Sequence, residues 1–340
     1  MKKILLVVLC LAIGIAGLVF IGCEKEEEKA AKAEEEKAAE TAEAKEEIVI
    51  GVTNNNTGID SYQTTHDKVL RETVASMDGV DAIVLDAQGD VTKQIDQVEN
   101  LMQKDVDVIV IWPVNGKAVV PVCKKAHEEG FPIVIANSLI DESGYDYVSC
   151  FTGPDTYEEG AVAARAMIKV FEDKGITRTK KVVELMGLPG YVTAIRRSNG
   201  WQDIIKEQDD FEILATEPTD WNREKATQKM ENLIVKFGEE IDGVYVADDN
   251  IGIGALNALK EAGMAGEVVM TSACLFGEGY DAIEEGYLSA SVYQSPAEDA
   301  RNTVRAAVDV AKGKDLEFWQ FFETPPVYPE NLDEFERPNF

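Results

Sequence analysis

Ile48-Val49-Ile50-Gly51-Val52 runs directly into Thr53-Asn54-Asn55-Asn56-Thr57-Gly58. The first five positions are apolar or glycine throughout, not at alternate places. A strand of that kind is covered on both faces, as in a parallel sheet flanked by helices. The amide-rich run that follows sits where such a sheet presents its carboxyl end. Outward from this unit the arrangement repeats. Strands are expected over 82–85, 106–112 and 132–136, separated by helices over 61–76, 92–104 and 116–129. In the second helix Ile95, Val98, Leu101 and Met102 share one face. The pattern then restarts, with strands over 181–186, 213–215, 243–247, 268–272 and 288–293. Helices are expected over 157–171, 191–208, 222–237, 250–262 and 278–285, and a helix over 296–311 returns to the first half. Regular alternation of strand and helix builds βαβ units, so the chain reads as α/β with two doubly wound halves. Ligands of open α/β sheets sit beyond the carboxyl ends of the strands. With two such sheets, the expected site is the cleft between them.

The residues that follow the strands are therefore the candidate binding residues. In the first half they are Asn54, Asn56, Tyr62, Trp112, Asn137 and Ser138. In the second half they are Tyr191, Arg196, Trp221, Asp248, Cys274 and Gln294. Amides and carboxylates donate to and accept from hydroxyls, and aromatic faces cover the CH surface of a sugar ring. Together they suit a neutral polyhydroxylated ligand held by many directed hydrogen bonds. Each residue also has a plainer reading. Asn-rich strand ends form turns, Asp249 and Asn250 can cap the next helix, and Trp112 can be ordinary core. The shared position after strands is what makes the set informative. A buried Asp248 needs a partner, for which Arg196 or a ligand hydroxyl is available.

The chain carries a net charge of −30, from 63 acidic and 33 basic residues. That excess argues against nucleic acid, whose backbone requires Lys and Arg. Catalytic signatures are missing as well. No G-x-S-x-G elbow occurs, neither His66 nor His127 joins a strand-end cluster, and Gly187-x-x-Gly190 lacks the Lys and Ser/Thr of a phosphate loop. Asp248 and Asp249, adjacent on the chain, point apart and do not make the flanking pair of a glycosidase. No enzyme, cofactor or metal site is expected. Cys123, Cys150 and Cys274 are odd in number and widely spaced, which is no disulfide framework, although one bridge stays open.

The N-terminal segment speaks to location. Lys2 and Lys3 precede an apolar run over 4–21, and Phe20-Ile21-Gly22-Cys23 precedes a polar run. This is the layout of an export signal, and Gly22-Cys23 resembles the lipobox of bacterial lipoproteins. Residues 1–22 are then the signal peptide and Cys23 the lipidated first residue of the exported chain. An uncleaved transmembrane anchor is the alternative reading. Residues 23–47 are nearly all Glu, Lys and Ala, with no apolar stripe to bury, and read as a tether. Either reading leaves the rest of the chain extracytoplasmic and attached to a membrane.

Three segments carry a family resemblance: Leu85-Asp86-Ala87-Gln88-Gly89-Asp90, Thr219-Asp220-Trp221-Asn222-Arg223-Glu224-Lys225-Ala226, and Ala247-Asp248-Asp249-Asn250-Ile251-Gly252-Ile253-Gly254-Ala255-Leu256. The body resembles the type I periplasmic binding proteins of the sugar class, closest in pattern to ribose-binding proteins. The resemblance implies two Rossmann-like lobes that close on one sugar, the closed form docking on an ABC permease. It implies an N-terminal lobe of 48–153 plus 295–322 and a C-terminal lobe of 154–294 plus 323–340. Trp221 matches the aromatic that stacks on the sugar, Tyr62 falls near the stacking aromatics of the first lobe, and Gln294 matches a sugar-contacting amide at the hinge. Departures are informative too. Asn137 stands where an Asp is usual, Ser138 where an Arg often sits, Asp248 where an Asn is usual, and Cys274 where an Asp binds hydroxyls. Ile195 falls on the sugar-binding Arg, with Arg196 beside it as a substitute. The implied function is a monomeric, lipid-anchored receptor delivering a small sugar or polyol to an ABC importer. A sensing role for chemotaxis or a sensor kinase, and autoinducer-2 or a nucleoside as ligand, remain alternatives.

Overall fold

The computed structural model describes residues 47–339. The expected signal peptide, Cys23 and all of the tether except Glu47 lie outside the described residues. Strand β1 (Ile48–Asn54) leads into helix α1 (Ser61–Ala75), β2 (Val80–Asp86), α2 (Val91–Met102), β3 (Val108–Ile111), α3 (Val120–Glu128), β4 (Ile133–Ala136) and β5 (Cys150–Pro154). The second set is α4 (Thr156–Asp173), β6 (Lys180–Met186), α5 (Val192–Lys206), β7 (Phe211–Pro218), α6 (Arg223–Phe237), β8 (Gly243–Val246), α7 (Asp249–Glu261), β9 (Val269–Ser272) and α8 (Gly277–Glu284). The chain ends with β10 (Ser291–Val292), α9 (Pro296–Ala311), β11 (Trp319–Phe322) and β12 (Pro326–Val327).

Two sheets result. The first has the order β11-β5-β4-β3-β1-β2 and the second β7-β6-β8-β9. Within the first, β1–β3, β3–β4, β4–β5 and β5–β11 pair in parallel; in the second, all three pairings are parallel. The α/β class with two parallel sheets is thus as the apolar strand runs require. β3, β4, β8 and β9 are buried at every position, because helices cover both faces. Ile109, Ile111, Ile133 and Ile135 pack with Val98 and Leu101 on the first sheet. Val244 and Val246 pack with Met230 and Leu259 on one face of the second. Its other face holds Met167, Phe171 and Trp201, with Trp201 stacked on Tyr245 at 5.0 Å.

The chain passes from the first sheet to the second after β5, returns before α9, and leaves again after β11. α9 packs against α1 and against β3, β4 and β5. β10 and β12 pair antiparallel between these passages. The expected strand over 288–293 is therefore shorter: Ser291 and Val292 form a ladder with Val327 and Pro326, while Ala290 makes an isolated bridge to Thr271. Three strands carry no sequence signal of the expected kind. β5 contains Gly153 and Pro154, residues that normally punctuate strands; β11 is a half-exposed edge; β12 has two residues. The helix expected from 116 starts at Val120, since Asn115 Oδ1 accepts from the Lys117 and Ala118 amides and holds a turn there. Cys123, Cys150 and Cys274 are all free and buried. Among the described residues no helix is long and apolar enough to cross a membrane.

One helix pair governs the cleft. α4 and α5 approach so closely that a Cβ on Gly160 would overlap the Arg197 carbonyl, and one on Gly200 the Tyr157 carbonyl. A Gly200→Ala variant should therefore lose about 1–3 kcal/mol or more, with a melting temperature at least several degrees lower. An unchanged thermal melt would show that the two helices are not in backbone contact.

Candidate functional site

A cavity of about 800 Å³ opens where the carboxyl ends of both sheets face each other. The local backbone explains why side chains gather there. β1 ends in the Asn run, and Asp60 caps α1 by accepting from the Gln63 amide at 2.7 Å. On the opposite wall, Asn222 caps α6 and Asp248 caps α7, accepting from the Lys225 amide at 2.8 Å and the Ile251 amide at 2.7 Å. Asn137, Asp220, Trp221 and Cys274 have left-handed φ angles of 58°, 56°, 60° and 60°. Asn and Asp tolerate that region; Trp and Cys do so at a cost, and such outliers concentrate at binding sites. Asn250 helps to hold Trp221 there by donating to its carbonyl at 3.0 Å. The indole lies so close to Gly187 that any side chain at 187 would overlap it.

Beneath the cavity floor runs one connected network, centred on Arg197. Its side chain is 4% exposed. Nε donates to Glu159 at 2.8 Å, Nη1 to the Ala247 carbonyl at 2.9 Å, and Nη2 to Cys274 Sγ at 2.7 Å and Gln294 Oε1 at 2.8 Å. Gln294 Nε2 donates in turn to the Tyr62 hydroxyl at 2.8 Å, which donates to Asp299 at 3.0 Å. Asn137 Nδ2 donates to the same Asp299 oxygen at 2.6 Å. The network thus joins α5 and α4 of the second set to α1, α9 and the end of β4. Two further contacts cross between the walls: Asn55 Nδ2 donates to the Tyr191 hydroxyl at 3.2 Å, and the Ser138 and Thr193 hydroxyls bond at 3.1 Å.

Burial raises the proton affinity of the acids in this region. Burial lifts Asp248 to about 6 against the Ile251 amide, and Asp249 to about 7 against its Ser272 hydrogen bond. Asp299 is lifted to about 7 by burial, opposed by the donors Asn137 and Tyr62. Glu159 is raised by burial and pulled back by Arg197. Burial lowers His66, which stands against the Trp112 ring at 4.8 Å, to about 3.

Of the residues read from the sequence, Asn56, Tyr62, Trp112 and Asn137 line one side of the cavity. Tyr191, Trp221, Asp248 and Cys274 line the other, with Gln294 at the junction. Asn54, Ser138 and Arg196 are not among the lining residues. Asn54 turns onto Asp67 at 3.0 Å, and Ser138 is taken up by Thr193. Arg196 reaches back to Asp155 at 2.9 Å and Thr156 at 3.2 Å. A helix rotates about 100° per residue, so the inward face of α5 carries Arg197 instead. Arg196 is consequently not the partner of Asp248, which caps a helix. Asp249 and Asn250 do not cap α7 with their side chains: Asp249 accepts from Ser272, Ser291 and the Phe276 amide, and Asn250 braces Trp221 and Arg223. Asp60, Gln63, Thr193 and Arg197 line the cavity without having been singled out as binding residues. Asp60 is a helix-capping residue type just before the helix expected from 61, and Arg197 is marked in the sequence only by following Arg196. No group of His, Cys, Asp and Glu suited to a metal ion occurs among the described residues.

Residues 50–315 match the periplasmic binding protein domain family. The chain is 28% identical over 269 residues to a xylitol-binding protein of Mycolicibacterium smegmatis, covering 79% of this chain and 74% of that protein. It is 25% identical over 317 residues to the ribose import binding protein of Bacillus subtilis, covering 93% and 96%. Among solved structures, an ABC transporter solute-binding protein from Bacillus halodurans with bound myo-inositol superposes with a TM-score of 0.76 at 29% identity. The match covers 85% of this chain and 96% of that one.

The raised acids fix the sign of the pH dependence. Asp248, Asp249 and Asp299 start from an ordinary value of 3.8, so the folded chain holds their protons more tightly than the unfolded chain. The stability they contribute is full below about 4 and is lost as pH rises through 6 to 7. His66 acts in the opposite sense below 6.5 but is one group against three. Thermal unfolding should therefore occur at a higher temperature at pH 5.5 than at pH 8, and Asp299→Asn should reduce the difference. A higher midpoint at pH 8 would contradict the assignment.

Proposed function

The chain belongs to the periplasmic binding protein domain family, and on that premise we propose that it captures a small neutral sugar or polyol in the cleft and hands it to an ABC permease. It is a binding protein and not an enzyme, as its relatives are. The observation that carries the ligand class is the lining of the cavity. Amide and carboxylate groups come from both walls, with Tyr62, Trp112 and Trp221 as apolar faces, the chemistry that a polyol's hydroxyls and CH surface require. Named ligands of relatives, xylitol for one and ribose for another, support the same class.

The proposed mechanism is hinge closure. Residues 48–153 with 295–322 act as one lobe and 154–294 with 323–340 as the other, and a ligand touching both walls stabilises the closed arrangement. Arg197 belongs to the scaffold of this cleft, holding Gln294 and Cys274 in place. Cys23 is proposed as the lipid attachment point of an exported, monomeric receptor, on the strength of the basic, apolar and Gly22-Cys23 sequence before the tether.

Two measurements test this reading. Calorimetric titration with pentoses, hexoses, polyols and inositols should give one saturable partner, and Trp221→Ala should weaken it by about 2 kcal/mol or more, about thirtyfold. Unchanged affinity would remove Trp221 from the site; no binding across the panel would remove the sugar class. For the anchor, Cys23→Ala should move the expressed protein from the membrane to the soluble fraction. Continued pelleting with membranes would favour the uncleaved apolar anchor instead.

A further inference from the structure

The hydrogen bonds beneath the cavity run in one direction. At one end stands Arg197, a guanidinium that only donates; at the other stands Asp299, a carboxylate that only accepts when ionised. Arg197 Nη2 donates to Gln294 Oε1, so the nitrogen of that amide is the atom that turns to the Tyr62 oxygen, at 2.8 Å. The Tyr62 hydroxyl then donates to Asp299 Oδ2 at 3.0 Å. Asn137 meets the same oxygen at 2.6 Å, and the atom that does so must be Nδ2. Turning any one of these groups alone would set two donors or two acceptors face to face, which is costly in a buried site.

Asp299 is 0% exposed and stands behind the wall, whereas Tyr62, Asn137 and Gln294 line the cavity. In Gln294 both ends of the amide are engaged. In Asn137 one end is engaged by Asp299, and Oδ1 accepts from no donor among the described residues. The residue is also held by its backbone. Its φ is 58°, its N–H donates to the Thr152 carbonyl at 2.8 Å, and Gly153 packs so closely that a Cβ there would stand 2.9 Å from the Asn137 Cα. An amide free to turn offers a ligand either a donor or an acceptor. With Nδ2 held by Asp299, the end left for the cavity is Oδ1, an acceptor.

We propose that Asp299 is a positioning residue for ligand selection: from behind the wall it holds Asn137 with Oδ1 toward the cleft, so that the bound molecule must donate a hydroxyl hydrogen there. This rests on the sugar-class reading above and assigns the hydrogen-bond polarity of one part of that site.

The test exchanges the two side chains. Titrations use D-ribose, D-xylose, D-glucose, xylitol and myo-inositol at pH 8, above the value of about 7 to which burial lifts Asp299. Asn137→Asp sets two acceptors against each other and should weaken the tightest-binding probe tenfold or more, about 1.4 kcal/mol. The exchange Asn137→Asp with Asp299→Asn lets Asn donate from position 299 and again leaves an acceptor toward the cleft, so affinity should return to within about threefold of the native protein. A ligand-side measurement accompanies it. Replacing one hydroxyl of the probe by fluorine, which cannot donate, should cost the native protein about tenfold at one position and the Asp299→Leu protein clearly less. A role confined to folding would lower the melting temperature of the variants and leave the fluorine penalty unchanged. An exchange protein as weak as Asn137→Asp alone, Asn137→Asp binding as tightly as native, or an unchanged fluorine penalty overturns the proposal and leaves the sugar reading standing. Failure of every probe to bind overturns both.

Discussion

The buried pair between Arg197 and Glu159 is the constraint on which the cleft depends. Two ions at 4% and 0% side-chain exposure stand 2.8 Å apart, and removing water from them costs several kcal/mol per ion. Such a pair is weak evidence for stability, since an apolar replacement can do as well. Its value here is positional. The guanidinium has several N–H donors in a fixed plane, and it spends them on a carboxylate, a backbone carbonyl, a thiol and an amide. Those partners lie on α4, after β8, after β9 and after β10. One side chain thereby fixes the relative placement of four segments around the cavity floor, and Gln294 carries the connection on to Tyr62 and Asp299.

The geometry that admits this pair is set by two glycines. Gly160 and Gly200 let α4 and α5 meet backbone to backbone, which brings Glu159 under Arg197. Both walls are arranged by capping. Asp60, Asn222 and Asp248 each begin a helix and also line the cavity, so the groups that start the helices double as polar lining. Trp221 is held in an unfavourable backbone region by Asn250 below and Gly187 beside it. Local strain and the scaffold that enforces it are found together, as expected for a preorganised binding surface.

The α/β class was legible because β3 and β4 are apolar at every position and β1 is apolar or glycine through its first five, a pattern that half-exposed strands do not produce. Nine of the twelve proposed binding residues line the cavity because strand ends are readable from where apolar runs stop. The rest was hidden for particular reasons. Arg196 and Arg197 differ by one helical step, and the face of α5 that turns inward is set by packing on α4. Asn54 is the last residue of β1 and Ser138 follows β4, but their side chains are taken up by Asp67 and Thr193. Asp299 lies in the first turn of α9, and only the return of that helix to the first sheet brings it to Tyr62 and Asn137. The edge strand β11 is half-exposed, and no apolar run marks it.

The most direct measurement is a crystal structure with the tightest-binding polyol found by titration. The expected density lies between Trp221 and the Tyr62–Trp112 wall, with a ligand donor on Asp248 Oδ2 and the Arg197–Gln294–Tyr62 connection intact beneath it. A ligand bound outside this cavity, or one touching a single wall and leaving Asp248 without a donor, would contradict the assignment of the cleft as the binding site.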